Sequence, residues 1–387
     1  MTSPHNSSAP AASSAADRPF LPFLVLLFIG SGCAALIYEV VWLQMLSLVV
    51  GSSAISIGVT LGTFMGGMCV GSLLLSRFVS RKHHPLKVYA MLEAGIGIWA
   101  LVILALLPLF GGLYTSIGLG GVPGLLWTGF FCAILLLPPT LMMGATLPAI
   151  SRFVESTPEG ASWLGFFYGG NIGGGVVGAL LAGYYLLRLT DVNTATFVAL
   201  GINAVVAFAA FALSQNTRYE GQEAPPPAKL FEMSPGTGPV YTTIALSGFT
   251  ALGCEVVWTR LLSLNLGGTT YTFSLILAVF LIGLGLGSGL GAMLDRTVRS
   301  ARTALGWCQF LLVVSIAWAA FALTRALPNW PVDPTLSIGP FYTFQMDFVK
   351  ALFVVLPGAI LWGASFPLAL AAVTSPGRDP GVVVGTT

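Results

Sequence analysis

The chain has 387 residues, of which 56% are hydrophobic and only 8% charged, with a net charge of +2 and a mean hydropathy of +0.88. Soluble domains carry about 25% charged residues, and so little charge cannot cover the surface of a water-soluble fold of this length. The composition excludes a soluble enzyme, and no basic run is long enough to follow a phosphate backbone, so no nucleic-acid partner is expected; the lipid bilayer is the solvent for most of the chain.

Residues 1–19 are Ser/Ala-rich and aperiodic and read as a disordered tail. From there on, ten stretches are long and apolar enough to cross hydrocarbon: 21–50, 54–76, 88–110, 124–150, 162–187, 192–213, 240–266, 270–294, 303–323 and 347–373. The first runs unbroken to Val50, which argues against a cleaved signal peptide. All are expected to be helical, because an unsatisfied backbone group in lipid costs several kcal/mol. Pro138, Pro139 and Pro148 are expected to interrupt the fourth span, and Pro357 and Pro367 the tenth, with neighbouring helices or a cavity satisfying the freed carbonyls. The five cysteines sit singly in apolar stretches, a pattern of small hydrophobes that fits neither a disulfide framework nor a zinc site.

Lys and Arg set the orientation. With the N-terminus inside, most of them fall on the cytoplasmic side, including the loop with Arg77, Arg81, Lys82 and Lys87; only Arg188, Arg325 and Lys350 fall outside, and Arg260 lies within a span. The expected location is the bacterial inner membrane with a cytoplasmic N-terminus. The stretch 214–239, with Pro225, Pro226 and Pro227, reads as a cytoplasmic linker.

An internal repeat organises the spans. Ser31-Gly-Cys-Ala-Ala-Leu-Ile-Tyr-Glu-Val-Val-Trp42 matches Ser247-Gly-Phe-Thr-Ala-Leu-Gly-Cys-Glu-Val-Val-Trp258 at an offset of 216 residues. Gly67, Gly71 and Ser72 match Gly283, Gly287 and Ser288, and Glu93 maps onto Gln309. Gly144-Ala-Thr-Leu-Pro148 matches Gly363-Ala-Ser-Phe-Pro367 after an insertion of three residues. An even number of spans separates the copies, so both enter the membrane in the same direction, as in the parallel six-span repeats of major facilitator transporters. Gly291-x-x-x-Asp295-Arg296-x-x-Arg299 resembles the loop motif that those transporters carry between their second and third spans. The expected fold is an all-α polytopic membrane protein of about ten helices in two parallel repeats, 20–213 and 240–387. The second copy reaches Thr387 where the first goes on through Leu164 to Asn171, so it reads as incomplete, with four helices against six.

The sequence Tyr-Glu-Val-Val-Trp, the Gly-x-x-x-Gly-Ser span, Gly-Ala-Thr-Leu-Pro and Tyr168-Gly-Gly-Asn171 together resemble the membrane portion of spermidine-synthase-like fused proteins, from about Phe20 onward. The resemblance implies a major-facilitator-like membrane region followed, in that family, by a cytoplasmic aminopropyltransferase-like domain. No residue here corresponds to that domain, so neither catalytic residues nor a cofactor site carry over. It also implies a fused or associated aminopropyltransferase as partner, and a polyamine as the small molecule concerned.

Ionisable groups at membrane depth cost about 2.5–3.5 kcal/mol each on insertion scales, which singles out Glu39, Glu93, Glu255 and Arg260. Glu39 and Glu255 are related by the repeat. They are expected to approach each other between the halves, where two carboxylates suit a cation or a proton; alternatively Arg260 neutralises one of them in a structural ion pair, or they cap irregular backbone. Trp42 and Trp258 follow the glutamates by three residues, on the same helix face, and either stack on a cation or pack between helices. Asn171 is expected to hydrogen-bond a neighbouring helix. Gly170, Gly174 and Gly178, like Gly283, Gly287 and Gly291, recur every four residues and make smooth faces for close helix approach. Gly173, Gly174 and Gly175 follow no strand and do not read as a nucleotide loop. His83 and His84 read as solvated loop residues.

Overall fold

The computed structural model describes residues 20–78, 83–117, 121–155, 160–217, 219, 237–298, 300–331 and 340–373. The described residues form ten helices long and apolar enough to cross a membrane, and no strand. In chain order these are α1 (Phe20–Val50), α2 (Ala54–Phe78), α3 (Pro85–Ile117), α4 (Gly121–Glu155), α5 (Gly160–Leu180, prolonged by a π-helical turn Leu181–Leu186 and by Leu187–Leu189), α6 (Val192–Asn216), α7 (Gly238–Leu266), α8 (Thr270–Thr297), α9 (Ala301–Phe321, prolonged by Ala322–Ala326 and Leu327–Asn329) and α10 (Pro340–Val373). Every expected span lies within one of them. The helices overrun the spans because a chain leaving hydrocarbon keeps its internal hydrogen bonds; α10 begins at Pro340 rather than at 347, with proline in the first turn, where its missing N–H is unneeded. The tail, most of the 214–239 linker, Arg81, Lys82 and Arg299 of the basic loops, and all residues after Val373 lie outside the described residues.

The repeat reappears as one contact made twice. In the first half α2 packs on α4, and in the second α8 packs on α10. A Cβ on Gly71 would overlap the Leu141 carbonyl, and one on Gly144 the Met68 carbonyl. At the matching positions Gly287 lies against the Ile360 carbonyl and Gly363 against the Leu284 carbonyl. Each helix pair is thus held at backbone-to-backbone distance by glycines facing both ways. The third glycine face joins α5 to α1: Gly174 abuts the Ile29 carbonyl, Gly178 the Cys33 carbonyl, and Gly32 of α1 the Asn171 carbonyl in return. Lipid tails are as apolar as leucine, so close packing of this kind, rather than water exclusion, holds such helices together.

The prolines do not interrupt α4 or α10, contrary to expectation; both helices run through them. A proline lacks the N–H that would bond the carbonyl four residues earlier. For Pro139 that carbonyl is Leu135, which instead accepts the indole N–H of Trp99 on α3 at 3.0 Å. For Pro357 it is Phe353, which accepts the indole N–H of Trp318 on α9, also at 3.0 Å. The same repair occurs in both halves. Trp99→Phe and Trp318→Phe keep an aromatic side chain but lose the donor and part of the ring, and each is expected to destabilise the protein by at least about 1 kcal/mol, read as a lower midpoint of thermal unfolding in detergent.

His84 is not a solvated loop residue. It is half-buried, with Nε2 3.2 Å from both the carbonyl and the hydroxyl of Thr217 at the end of α6, and its ring stacks on Phe153. Burial holds its pKa below the usual histidine range. A histidine kept neutral by the fold binds fewer protons than in the unfolded chain. The contact therefore contributes fully above the unfolded pKa of about 6.5 and is lost as pH falls through the lower folded value. Thermal stability is expected to decline on acidification through that window, and His84→Phe to flatten the decline.

The halves meet chiefly along α5 and α8, where Gly183 lies against Ser274, Gly175 against Leu281 and Gly285 against Ile172. Further contacts join α2 to α7 and α1 to α8; in the latter Thr270 Oγ1 donates to Gln44 Oε1 at 2.6 Å.

Candidate functional site

The seam between the halves leaves a cavity of about 260 Å³. Ser31, Ala35 and Glu39 reach it from one face of α1, because residues four apart lie one above another on a helix. Phe64, Met65 and Met68 come from α2, Glu93 from α3, Met143 and Thr146 from α4, Tyr168 and Asn171 from α5, and Asn203 from α6. The second half supplies Glu255 from α7 and Leu277, Phe280, Leu281 and Leu284 from α8. Among the described residues the wall thus carries three carboxylates and no Lys, Arg or His.

The three acids differ in how they are held. Glu93 is satisfied: Ser31 donates to its Oε1 at 2.5 Å, and the Asn203 amide donates at 3.1 Å to both its Oε2 and its backbone carbonyl. Its repeat-mate Gln309 donates to Ser365 Oγ at 2.8 Å, a helix-to-helix tie without charge. Glu39 and Glu255 are each 3% exposed, and the Oε1 atom of each has no hydrogen-bond partner. They come from matching positions of the two halves and line one space. α1 and α7 are regular helices where they leave, so the glutamates do not cap broken backbone.

Arg260 does not neutralise either glutamate. It lies five residues beyond Glu255, which places it roughly 140° around α7 and about 7.5 Å further along. Its side chain is exposed and donates to the Ser52 carbonyl at 3.4 Å. The tryptophans also miss the cavity. A three-residue step turns a helix by about 300°, and the remaining 60° moves each ring from the cavity wall into a helix seam. Trp42 stacks on Tyr38 with ring centroids 4.9 Å apart and contacts Phe64; Trp258 packs on Trp362 at 5.5 Å. Asn171 lines the cavity and, as expected, hydrogen-bonds a neighbouring helix, donating to the Phe28 carbonyl on α1 at 3.4 Å. Asn203 was not singled out in the sequence, although the argument that marks Asn171, an amide at membrane depth, applies to it equally.

No protein-family model matches the sequence, and no curated protein does. Among solved structures, the chain is similar to the crystal structure of a bacterial homolog of the human lysosomal transporter Spinster, in an inward-facing and occupied conformation. The TM-score is 0.59 and the sequence identity 14%, over 97% of this chain and 80% of that one. The described residues are all-helical, and their fold is similar to that of a major facilitator transporter. At this identity the likeness speaks for the fold alone.

Proposed function

We propose that this protein is a transporter-like membrane protein that binds a small organic cation between its two halves, with Glu39 and Glu255 as the paired anionic ligands. The observation that carries the reading is the pair itself: two buried carboxylates from repeat-related positions, each with an unpartnered oxygen, facing a cavity that holds no basic side chain. Buried charges without partners cost several kcal/mol each, so the compensating positive charge comes from outside the chain, as a solute or as a proton that exchanges with it. Most of the remaining wall is methionine, phenylalanine, leucine and isoleucine, with a few neutral polar side chains such as Thr146 and Asn171. A hard metal ion needs about six oxygen ligands, whereas an alkyl ammonium needs carboxylates for its ends and apolar wall for its carbons.

A polyamine fits that chemistry, and the resemblance to the membrane region of spermidine-synthase-like proteins supports it. The distribution of Lys and Arg supports a cytoplasmic N-terminus, and the location that fits the proposal is the bacterial inner membrane. The test is uptake of radiolabelled spermidine into vesicles reconstituted with the purified protein, with and without a pH gradient. Saturable uptake above that of empty vesicles supports the reading, and none, for spermidine or for shorter diamines, sinks it. In a second reading the spans anchor or regulate a fused or partner aminopropyltransferase and move nothing. It rests on the same resemblance, and it predicts that neutralising Glu39 and Glu255 leaves polyamine handling unchanged in cells.

A further inference from the structure

At the end of the bundle where α1 and α7 finish, a second cavity of about 130 Å³ lies between the halves. Gln44 and Ser52 line it from the first half, and Thr259, Arg260, Thr269 and Thr270 from the second; no acidic side chain does. Its polar groups are donors in excess. Arg260 has five N–H bonds and places one on the Ser52 carbonyl at 3.4 Å. Thr259 is only 4% exposed and lines this cavity. The bond from Thr270 Oγ1 to Gln44 Oε1 fixes the orientation of that amide and leaves both Nε2 hydrogens unspent. At the start of α8, Thr269 caps the Thr272 amide, while the amides of Thr270 and Tyr271 precede the first intrahelical bond.

A guanidinium, a threonine hydroxyl, a free amide and unspent helix N–H groups, with no acid among the described lining residues, make a set of donors suited to an anion. The geometry points to a phosphate-binding site here, separate from the glutamate cavity and independent of the cation reading. A volume of about 130 Å³ is the share of roughly four waters, which admits a phosphate group but not a sugar phosphate in full. The group arrives either as free phosphate or as the headgroup of a phospholipid reaching in beside the exposed Arg260. Both halves contribute donors, so the occupant holds this end of the seam shut.

The experiment uses the full chain, purified in a phosphate-free detergent buffer. Thermal unfolding is followed as inorganic phosphate is titrated, and phospholipid retained by the same preparation is counted by native mass spectrometry. Free phosphate is the ligand if the midpoint rises saturably and Arg260→Gln moves the half-saturation at least tenfold. A headgroup is the ligand if phosphate has no effect but wild-type protein retains a phospholipid that Arg260→Gln releases. Thr259→Val keeps the side-chain shape and decides the matter should Arg260→Gln not fold; it is expected to weaken either signal several-fold. The proposal is overturned if neither signal is seen in wild type, or if Thr259→Val and a folded Arg260→Gln leave both unchanged.

Discussion

Glu39→Gln and Glu255→Gln are each expected to lower spermidine uptake into reconstituted vesicles at least tenfold, and together to abolish it. Glutamine keeps the size and hydrogen-bonding capacity of the side chain and removes the charge, so the fold survives and the cation loses a ligand. Tenfold corresponds to about 1.4 kcal/mol of binding, a modest demand on a charge pair in a low-dielectric cavity. Glu93→Gln is the informative contrast. Its carboxylate is already held by Ser31 and Asn203, and the equivalent position of the second half is Gln309. It is expected to cost less than threefold. Equal losses at all three positions would mean that total negative charge, rather than the symmetric pair, attracts the solute.

The second large effect belongs to the glycine locks. In Gly71→Ala and Gly287→Ala the new methyl meets a backbone carbonyl of the facing helix, Leu141 and Ile360 respectively, and backbone cannot rotate away as a side chain would. The helices must separate, at about 1–3 kcal/mol for each substitution. The two sites lie in different halves and share no partner, so the double variant is expected to show the sum. Gly66→Ala is the control, since a Cβ there meets nothing within 4 Å. Unfolding in mixed detergent micelles measures all four, and a Gly66→Ala as damaging as Gly71→Ala would show that helix propensity or expression, not close packing, governs the losses.

The fold was legible because hydropathy and the repeat act along the chain, where a sequence displays them directly. Ten apolar stretches became ten helices, and the shared Gly-Ala-Thr/Ser-x-Pro segment marked the helix that each half packs by its glycines. The glutamates were legible for a related reason: a carboxylate in lipid is conspicuous without any knowledge of its neighbours. The rest depended on angles between helices. The separation of Trp42 from Glu39, or of Arg260 from Glu255, is small in sequence, yet a fraction of a helical turn decides whether a side chain meets the cavity or the next helix. The Trp99 and Trp318 bonds were invisible for the same reason. Pro139 and Pro357 announce a freed carbonyl, but which neighbour repairs it depends on how α3 crosses α4 and how α9 crosses α10. Asn203 could have been found; a buried amide in an apolar span carries its own signal, and only its distance from the named motifs hid it.

The most direct measurement of the central claim is equilibrium binding of spermidine to the purified protein, wild type beside the Glu39→Gln/Glu255→Gln double variant. One saturable site is expected in wild type, weakened at least a hundredfold in the double variant and retained in Glu93→Gln. Undiminished binding in a folded double variant would contradict it, because the cation would then be held elsewhere than between the two carboxylates.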